Sequence, residues 1–486
     1  MEPTGGAEPV SQRGIGWRTA ALLLAGSLLL GGCSRNDTPA APIPDRPVTV
    51  AVTARVTTTD PAAAVDEGSQ FYAYNVFQRL MVPQVGLPAL KTDLATECRF
   101  VDELTYSCII PKGRSFTNGH ALTSQDVKFS IERAQRLAVP GTGAAMLDSL
   151  ASINANNPQL VEFKLKHPDN NFGFAISTPA ASIVDEEAYP ADALWPQDQA
   201  PISSGPYLPP DRSLDTLVFA KNPRYTGPTF SRRPEVVVKT FSSPALMDRA
   251  VATGTVDLVW RGGTPPKDST INLLPEVLPG ADVSRLIWNP KSPRRGDAAL
   301  RGRVKDSTGN LRTLHSLIPA GIPFAADTFA TAAAPAPGPA AELTLAQSSN
   351  NDLSRDLLPQ VQQALQANGI RVTIAPDPSQ ADLILDAGGV TTSTPVAWLQ
   401  AWWEHPLPGQ ERRTSELIHA LRTDPSLEGR EKTALTIQQQ AAVDATVLPL
   451  TQRDRTFYRH PSLVVDKEFK NWMGPGYQLG LWGWTW

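Results

Sequence analysis

Leu30-Gly31-Gly32-Cys33 closes a short apolar run near the N-terminus, and it sets the conditions under which everything after it folds. Arg13 and Arg18 precede the run, which is rich in Leu and Ala from Thr19 to Leu30, and small residues flank a single cysteine. This is the pattern of a secretory signal of the lipoprotein kind, as opposed to an ordinary signal peptide with a chance cysteine. The run is roughly half the ~20 residues that a membrane-spanning helix needs, so it reads as a cleaved segment. Cys33 then becomes the lipidated first residue. The rest of the chain works outside the cytoplasm, tethered to the membrane surface, in an oxidising compartment.

A mature chain of about 450 residues exceeds what one hydrophobic core usually covers, so two or more lobes are expected. A hydrophobic fraction of 41% with 19% charged residues reads as globular. The net charge of -4 supplies no basic field for phosphate backbones and argues against nucleic-acid binding. Much of the proline sits in linkers. The stretch from Ser34 to Pro47 reads as a disordered spacer between lipid and first strand. Ala332 to Ala341 reads as an interior loop, because structured sequence continues on both sides.

Besides Cys33 only Cys98 and Cys108 occur, and ECRFVDELTYSC reads as strand, turn, strand, with the turn at Val101 to Leu104. Cysteines placed symmetrically about such a turn face each other across two strands, and a disulfide is expected. Thr123-Ser124-Gln125-Asp126 resembles a capping box opening an amphipathic helix with Val127, Ile131 and Ala134 on one face. Further on, Leu343 to Leu345 is a strand. A helix capped by Ser354 or Asp356 runs to Asn368, with Pro359 early in it and Gly369 at its left-handed end. Ile370 to Ile374 and Leu383 to Leu385 are strands. Strand, helix, strand in this order makes a βαβ unit with parallel pairing. Helices over about Arg413–Thr423 and Leu427–Asp444 and a strand at Val447 to Leu450 follow.

Several segments, in order, resemble the extracytoplasmic solute-binding proteins of peptide and nickel ABC importers, bacterial family 5. They are Arg114 to Ala134 (RSFTNGHALTSQDVKFSIERA), Ser203-Ser204-Gly205-Pro206-Tyr207 with Lys221-Asn222-Pro223-Arg224-Tyr225, Ala252 to Asp257, and Val447 to Leu450. The resemblance implies an α/β, type II periplasmic-binding-protein-like fold: two lobes with mixed sheets joined by hinge strands, and a ligand enclosed in the cleft. The division it implies is 1–32 signal peptide, 33–47 lipidated linker, 48–262 main part of lobe I, 263–449 lobe II, and 450–486 return to lobe I.

The chain departs from the family in two places. Peptide-binding members carry "W-x-x-D-Y-x-x-P" in lobe II, whose Asp neutralises the peptide's α-ammonium. Aligned on Pro395, Gly388 replaces the Trp and Thr391 the Asp. A buried ammonium without a counter-charge is costly by several kcal/mol, which argues against a free-amine peptide unless Asp386 substitutes. The stretch from Asn289 to Leu317 is shorter than the family's helical segment, so lobe II is trimmed. The candidate ligand-contacting set is Tyr72, Trp260, Asp386, Gly388, Thr391, Trp402 and Trp403, the aromatics by virtue of planes that suit peptide side chains, sugars or apolar ligands.

No catalytic chemistry is legible. His120, His167, His315, His405, His419 and His460 do not pair at metal-ligand spacing, no cofactor or metal is implied, and Ser203-Ser204-Gly205 reads as a tight turn before Pro206. The expected protein is a lipid-anchored monomer that captures a peptide-like or other small solute for ABC permease subunits. The alternative is a non-transport lipoprotein of cell-wall glycolipid assembly or regulation. Cys33→Ala should move the protein from the membrane fraction to the soluble extracytoplasmic fraction on fractionation, and membrane retention at high salt contradicts the lipid anchor.

Overall fold

The computed structural model describes residues 46–84, 89–211, 215–228, 233–260, 273–329, 338–349, 351–388, 392, 394–465 and 479–486. The signal peptide, Cys33 and Thr391 lie outside them. Arg46, at the end of the expected linker, is already engaged: its guanidinium grips Asp257 with bonds of 2.6 and 2.5 Å. Strand β1 (Val48–Val52) is buried throughout. Helix α1 (Glu67–Val76) starts where Asp66 accepts the Ser69 N–H at 2.8 Å. β2 (Met81–Gln84) and β3 (Ala89–Thr92) form a small hairpin.

The cysteine hairpin follows as expected. β4 (Glu97–Asp102) and β5 (Thr105–Ile109) pair antiparallel, Cys98 lies directly opposite Cys108, and the two are disulfide-bonded. Thr123 and Asp126 exchange hydrogen bonds in a capping box at the start of α2 (Ser124–Leu137), whose Val127, Ile131 and Ala134 are buried. β6 (Leu150–Asn157) and β7 (Leu160–Leu165) complete a four-stranded antiparallel sheet, and the short α3 (Phe172–Ala175) packs against its core. Next come β8 (Thr216–Ala220), β9 (Glu235–Thr240), α4 (Pro244–Ala252) and β10 (Leu258–Val259), then the long β11 (Leu274–Trp288).

The second lobe contains α5 (Ala298–Ser307), β12 (Ala341–Gln347), α6 (Asp352–Gln366), β13 (Ile370–Ile374) and β14 (Leu383–Ala387). β12 pairs parallel with both β13 and β14, as the βαβ reading requires. Helix α6 begins earlier than its sequence suggests. Its cap is Asn351, which accepts the Ser354 N–H at 2.8 Å, not Ser354 or Asp356, so Pro359 falls inside the helix. Burial of Leu357, Val361 and Leu365 against the lobe core outweighs the bond that proline removes. Gly369 ends the segment at φ 72°. The short α7 (Pro395–Trp398) and α8 (Gln400–Trp403), then α9 (Glu411–Thr423) and α10 (Leu427–Asp444), lead into β15 (Val447–Arg459).

The sheets differ from the expected one per lobe. A single nine-stranded sheet, ordered β13-β12-β14-β11-β15-β10-β1-β9-β8, runs through both lobes. Its continuity comes from β11 and β15, antiparallel over most of their 15 and 13 residues, long enough to serve two cores. On β11, Leu278 and Ala281 pack in the first lobe, while Val283, Leu286 and Trp288 pack in the second. On β15 the change falls between Leu450 and Phe457. At the crossing the register breaks between Leu278 and Asp282, around Gly280 at φ 60°. The Gly280 N–H donates to Asp454 at 2.8 Å, and the Gln452 amide donates to the carbonyls of Gly280 (3.2 Å) and Ala320 (3.0 Å).

A Cβ at Gly280 would stand 2.5 Å from the Gln452 amide nitrogen, in a left-handed conformation that costs other residues about 1–2 kcal/mol. Gly280→Ala should lower stability by about that amount or more, read as a lower urea midpoint with an unchanged slope.

Candidate functional site

A cavity of about 290 Å³ opens beside the crossing strands, and residues from both lobes line it. The first lobe contributes the start of α1, with Asp66, Glu67 and Gln70. The second contributes Arg285 from β11, Ser348 and Ser349 after β12, Asp386 to Gly388 at the end of β14, and Gln400 and Glu404 near α8. Arg455 enters from β15.

Sheet register builds the first charged pair. Arg285 and Asp386 stand opposite each other on antiparallel β11 and β14. The guanidinium donates to Asp386 Oδ2 from Nε at 3.1 Å and from Nη2 at 2.5 Å, and Ser348 donates to Oδ1 at 2.9 Å. Arg285 also donates to the Trp398 carbonyl at 3.3 Å and lies 5.3 Å over that indole. Asp386 therefore meets the cavity with both oxygens already engaged.

Arg455 forms the second centre. It donates to Asp282 at 2.6 Å and to Glu67 at 3.1 Å, and its guanidinium lies 5.5 Å over the Trp260 ring. Burial alone pushes this group down. The Asp282 and Glu67 carboxylates outweigh it and hold the guanidinium above its ordinary value, so it stays charged. The remaining carboxylates differ in kind. Asp66 caps α1 and accepts from the Ser69 hydroxyl at 2.7 Å, and Glu404 accepts from the Gln400 amide at 3.1 Å. Neither has an ion-pair partner among the described residues.

Of the residues singled out from sequence, Asp386 and Gly388 line this cavity. Tyr72 is fully buried in the first lobe, 6.3 Å from the Phe219 ring. Trp260 is buried 5.4 Å from Phe457. Trp402 is buried in the second-lobe core and donates to Asp444 at 2.9 Å, and Trp403 donates to the Val396 carbonyl at 3.0 Å. Sequence reasoning passed over Arg285, Arg455, Glu67 and Glu404. A visible signal existed for the first, an arginine inside the otherwise buried run Val283 to Trp288.

Away from the crossing strands, α9 ties the second lobe to the four-stranded-sheet part of the first. Arg422, 2% exposed, donates to Asp169 at 3.1 and 2.5 Å and to Asp148 at 2.6 Å. The Asn170 N–H returns a bond of 2.9 Å to the Arg422 carbonyl. Burial pushes this guanidinium down, and Asp169 with Asp148 more than restores it. Ala397 of α7 is buried in the first lobe's core nearby. Arg422→Met leaves Asp169 buried without its cation. It should destabilise the protein by about 3–5 kcal/mol in chemical unfolding, and Asp169→Asn combined with it should recover part of the loss.

Among the described residues no cluster of His, Cys, Asp and Glu is arranged to hold a metal, and no helix is long and apolar enough to cross a membrane. Residues 89–302 match the family described as bacterial extracellular solute-binding proteins, family 5 Middle. Proteins of Brucella ovis and Brucella abortus, assigned as ABC transporter peptide-binding proteins, are 26% identical over 212 residues. The match covers 41% of this chain and 38% of theirs. The fold is shared with the ABC transporter-associated periplasmic binding protein DppA of Helicobacter pylori in complex with peptide STSA. Its TM-score is 0.73 at 18% identity, covering 90% of this chain and 98% of that one. The PBP AgaA of A. tumefaciens R10, in complex with agropinic acid, gives a TM-score of 0.74 at 15% identity, covering 89% and 96%. NikA of Brucella suis, in complex with Fe(III)-EDTA, gives 0.68 at 17% identity, covering 87% and 96%.

Proposed function

We propose that the chain, whose residues 89–302 match family 5 of the bacterial extracellular solute-binding proteins, is a solute-binding protein of that kind and captures a small solute bearing a cationic group in the cavity between its lobes. Release to an ABC permease follows from the same reading, as does attachment to the membrane through lipidated Cys33. The mature chain acts as a monomer. The supporting observation is the charge inventory of the cavity. Four carboxylates line it, Asp66, Glu67, Asp386 and Glu404, against two guanidiniums, Arg285 and Arg455. The arginines pair with Asp386 and Glu67. Asp66 in one lobe accepts from Ser69 and Thr57 and Glu404 in the other from Gln400, all neutral donors, so among the described residues neither faces a cation until the ligand arrives.

A cation entering between Asp66 and Glu404 gains from both lobes at once only when the cleft is closed. That differential affinity is what hinge closure requires. In this reading Thr391 does not serve as the ammonium partner, and Asp386 orients Arg285, whose guanidinium is then available to a ligand carboxylate or carbonyl through Asp386-directed geometry. Gly388 leaves room where an aromatic wall stands in the peptide-binding pattern. Trp260 backs the cavity through the Arg455 guanidinium stacked over it, whereas Tyr72 and Trp402 belong to the lobe cores. The alternative role in envelope glycolipid assembly uses the same cleft. Uptake of the captured solute by a strain lacking the gene separates the two, because only the importer reading predicts a transport defect.

Titration calorimetry with a panel of small amines, guanidines and their neutral isosteres tests the ligand class. Cationic solutes should bind and their isosteres should not. Glu404→Gln should weaken binding by about tenfold or more, since one Coulomb partner at effective ε ≈ 20 contributes up to ~4 kcal/mol before desolvation. Equal affinity for charged and neutral solutes contradicts the reading.

A further inference from the structure

Arg79 follows the C-terminal end of α1, is 3% exposed, and faces a pocket with no acceptor bonded to its guanidinium among the described residues. Arg133, Arg422 and Arg455 are buried against Asp60, Asp169 and Asp282. Arg79 instead lies 4.8 Å over the Tyr74 ring. Its Nε is buried with no hydrogen-bond partner, and no ion pair reaches its guanidinium among the described residues. Asp93 lines the same pocket, but its carboxylate is turned to other donors: the Arg79 backbone N–H at 2.9 Å and the Gln78 amide at 3.3 Å. Lys91 and Thr92 also line it, so the pocket holds one cation in excess.

A buried cation with no partner costs several kcal/mol, and buried polar groups left open in native folds commonly mark an ion or water. Burial pushes the Arg79 guanidinium down and the Asp93 carboxyl up, as expected where compensation is incomplete. Size decides what can fill the gap. The free volume is about 20 Å³, room for one water-sized group. A phosphate or a carboxylate-bearing solute does not fit. Tyr74, Phe77, Tyr225 and Trp482 wall it, with Arg79 over the face of the Tyr74 ring. The Tyr74 phenol is pushed up to about 12, chiefly by burial, and stays a neutral hydroxyl.

We propose that this pocket binds a single monatomic anion, chloride being the physiological case, against the Arg79 guanidinium with the Lys91 ammonium and Thr92 hydroxyl beside it. No residue lines both this pocket and the cleft cavity, so the anion is separate from the ligand site. It is linked to the cleft through α1, whose first turn carries Asp66 and Glu67 and whose last turn carries Tyr74.

The test is the thermal unfolding midpoint of the mature chain at fixed ionic strength, with sodium chloride exchanged stepwise for sodium gluconate. The midpoint should rise with chloride, as for any ligand of the native state. Bromide should reproduce the rise, and acetate and phosphate should not. General salt effects act equally on Arg79→Met, which should lose the chloride-specific part. Lys91→Met is the second variant should Arg79→Met not fold, and it should show a diminished chloride response. Crystals soaked in bromide should show an anomalous peak beside the Arg79 Nη atoms. Equal midpoints in chloride and gluconate, phosphate as effective as chloride, or an undiminished chloride response in Arg79→Met or, where that variant does not fold, in Lys91→Met overturns the proposal.

Discussion

The antiparallel pairing of β11 with β15 is the constraint from which the rest of this architecture follows. Each strand is too long to be satisfied by one core, so each carries apolar side chains for two. The sheet is continuous, and the lobes are distinguished by which faces of it they cover. The β11–β15 register breaks twice near the crossing, around Gly280 and again between Ser284 and Arg285. Such irregularities increase local twist and give the strands a place to bend. Arg455 stands opposite Leu278 at the first of these breaks and Arg285 lies at the second, so the cavity's two guanidiniums flank the irregular stretch.

Three buried arginines mark the joints between packed bodies. Arg133 joins α2 to Asp60 at 2.6 Å, Arg422 joins α9 to Asp169, and Arg455 joins β15 to Asp282. Replacing such pairs by matched apolar residues is often neutral, so they are weak evidence for stability as such. What they supply is direction. Each guanidinium offers several donors in a fixed plane, and Arg133 and Arg422 also hold backbone carbonyls. An apolar joint slides, whereas a forked pair has one seating. The cavity is bounded by elements seated in this way.

Local chemistry was legible in the sequence wherever a residue's role depended on its neighbours in the chain. The Cys98–Cys108 hairpin, the Thr123–Asp126 box, Gly369 at φ 72° and the parallel β12-β13 pairing all follow from spacing. The N-cap of α6 was misplaced because Asn351, Ser354 and Asp356 are all good caps, and only packing of Leu357 and Val361 selects the first. The single sheet was not legible, since strand register across the lobes leaves no local trace. The aromatic residues misled for a related reason. Trp402 follows the altered motif in sequence, yet helical geometry turns it into the core, onto Asp444.

Charge at the cleft has the same origin. Arg285 and Asp386 are 101 residues apart, and Arg455 and Glu67 are 388 apart. Strand register creates the first pair and the packing of α1 against β15 the second, so neither partner is interpretable alone. In the motif of peptide-binding members a single Asp carries the counter-charge, and one position can be read. The alignment on Pro395 puts that position at Thr391, outside the described residues, and the carboxylates lining the cavity are Asp66 and Glu67 at a helix start, Asp386 at a strand end and Glu404 at a short helix end. If the cavity takes a cationic solute as proposed, dispersing the charge in this way ties its recognition to the relative placement of both lobes. An Asp fixed within one lobe attracts a cation whether the cleft is open or shut, whereas Asp66 and Glu404 act together only when the lobes approach. In the proposed function, selectivity for the closed state therefore comes from where the carboxylates sit.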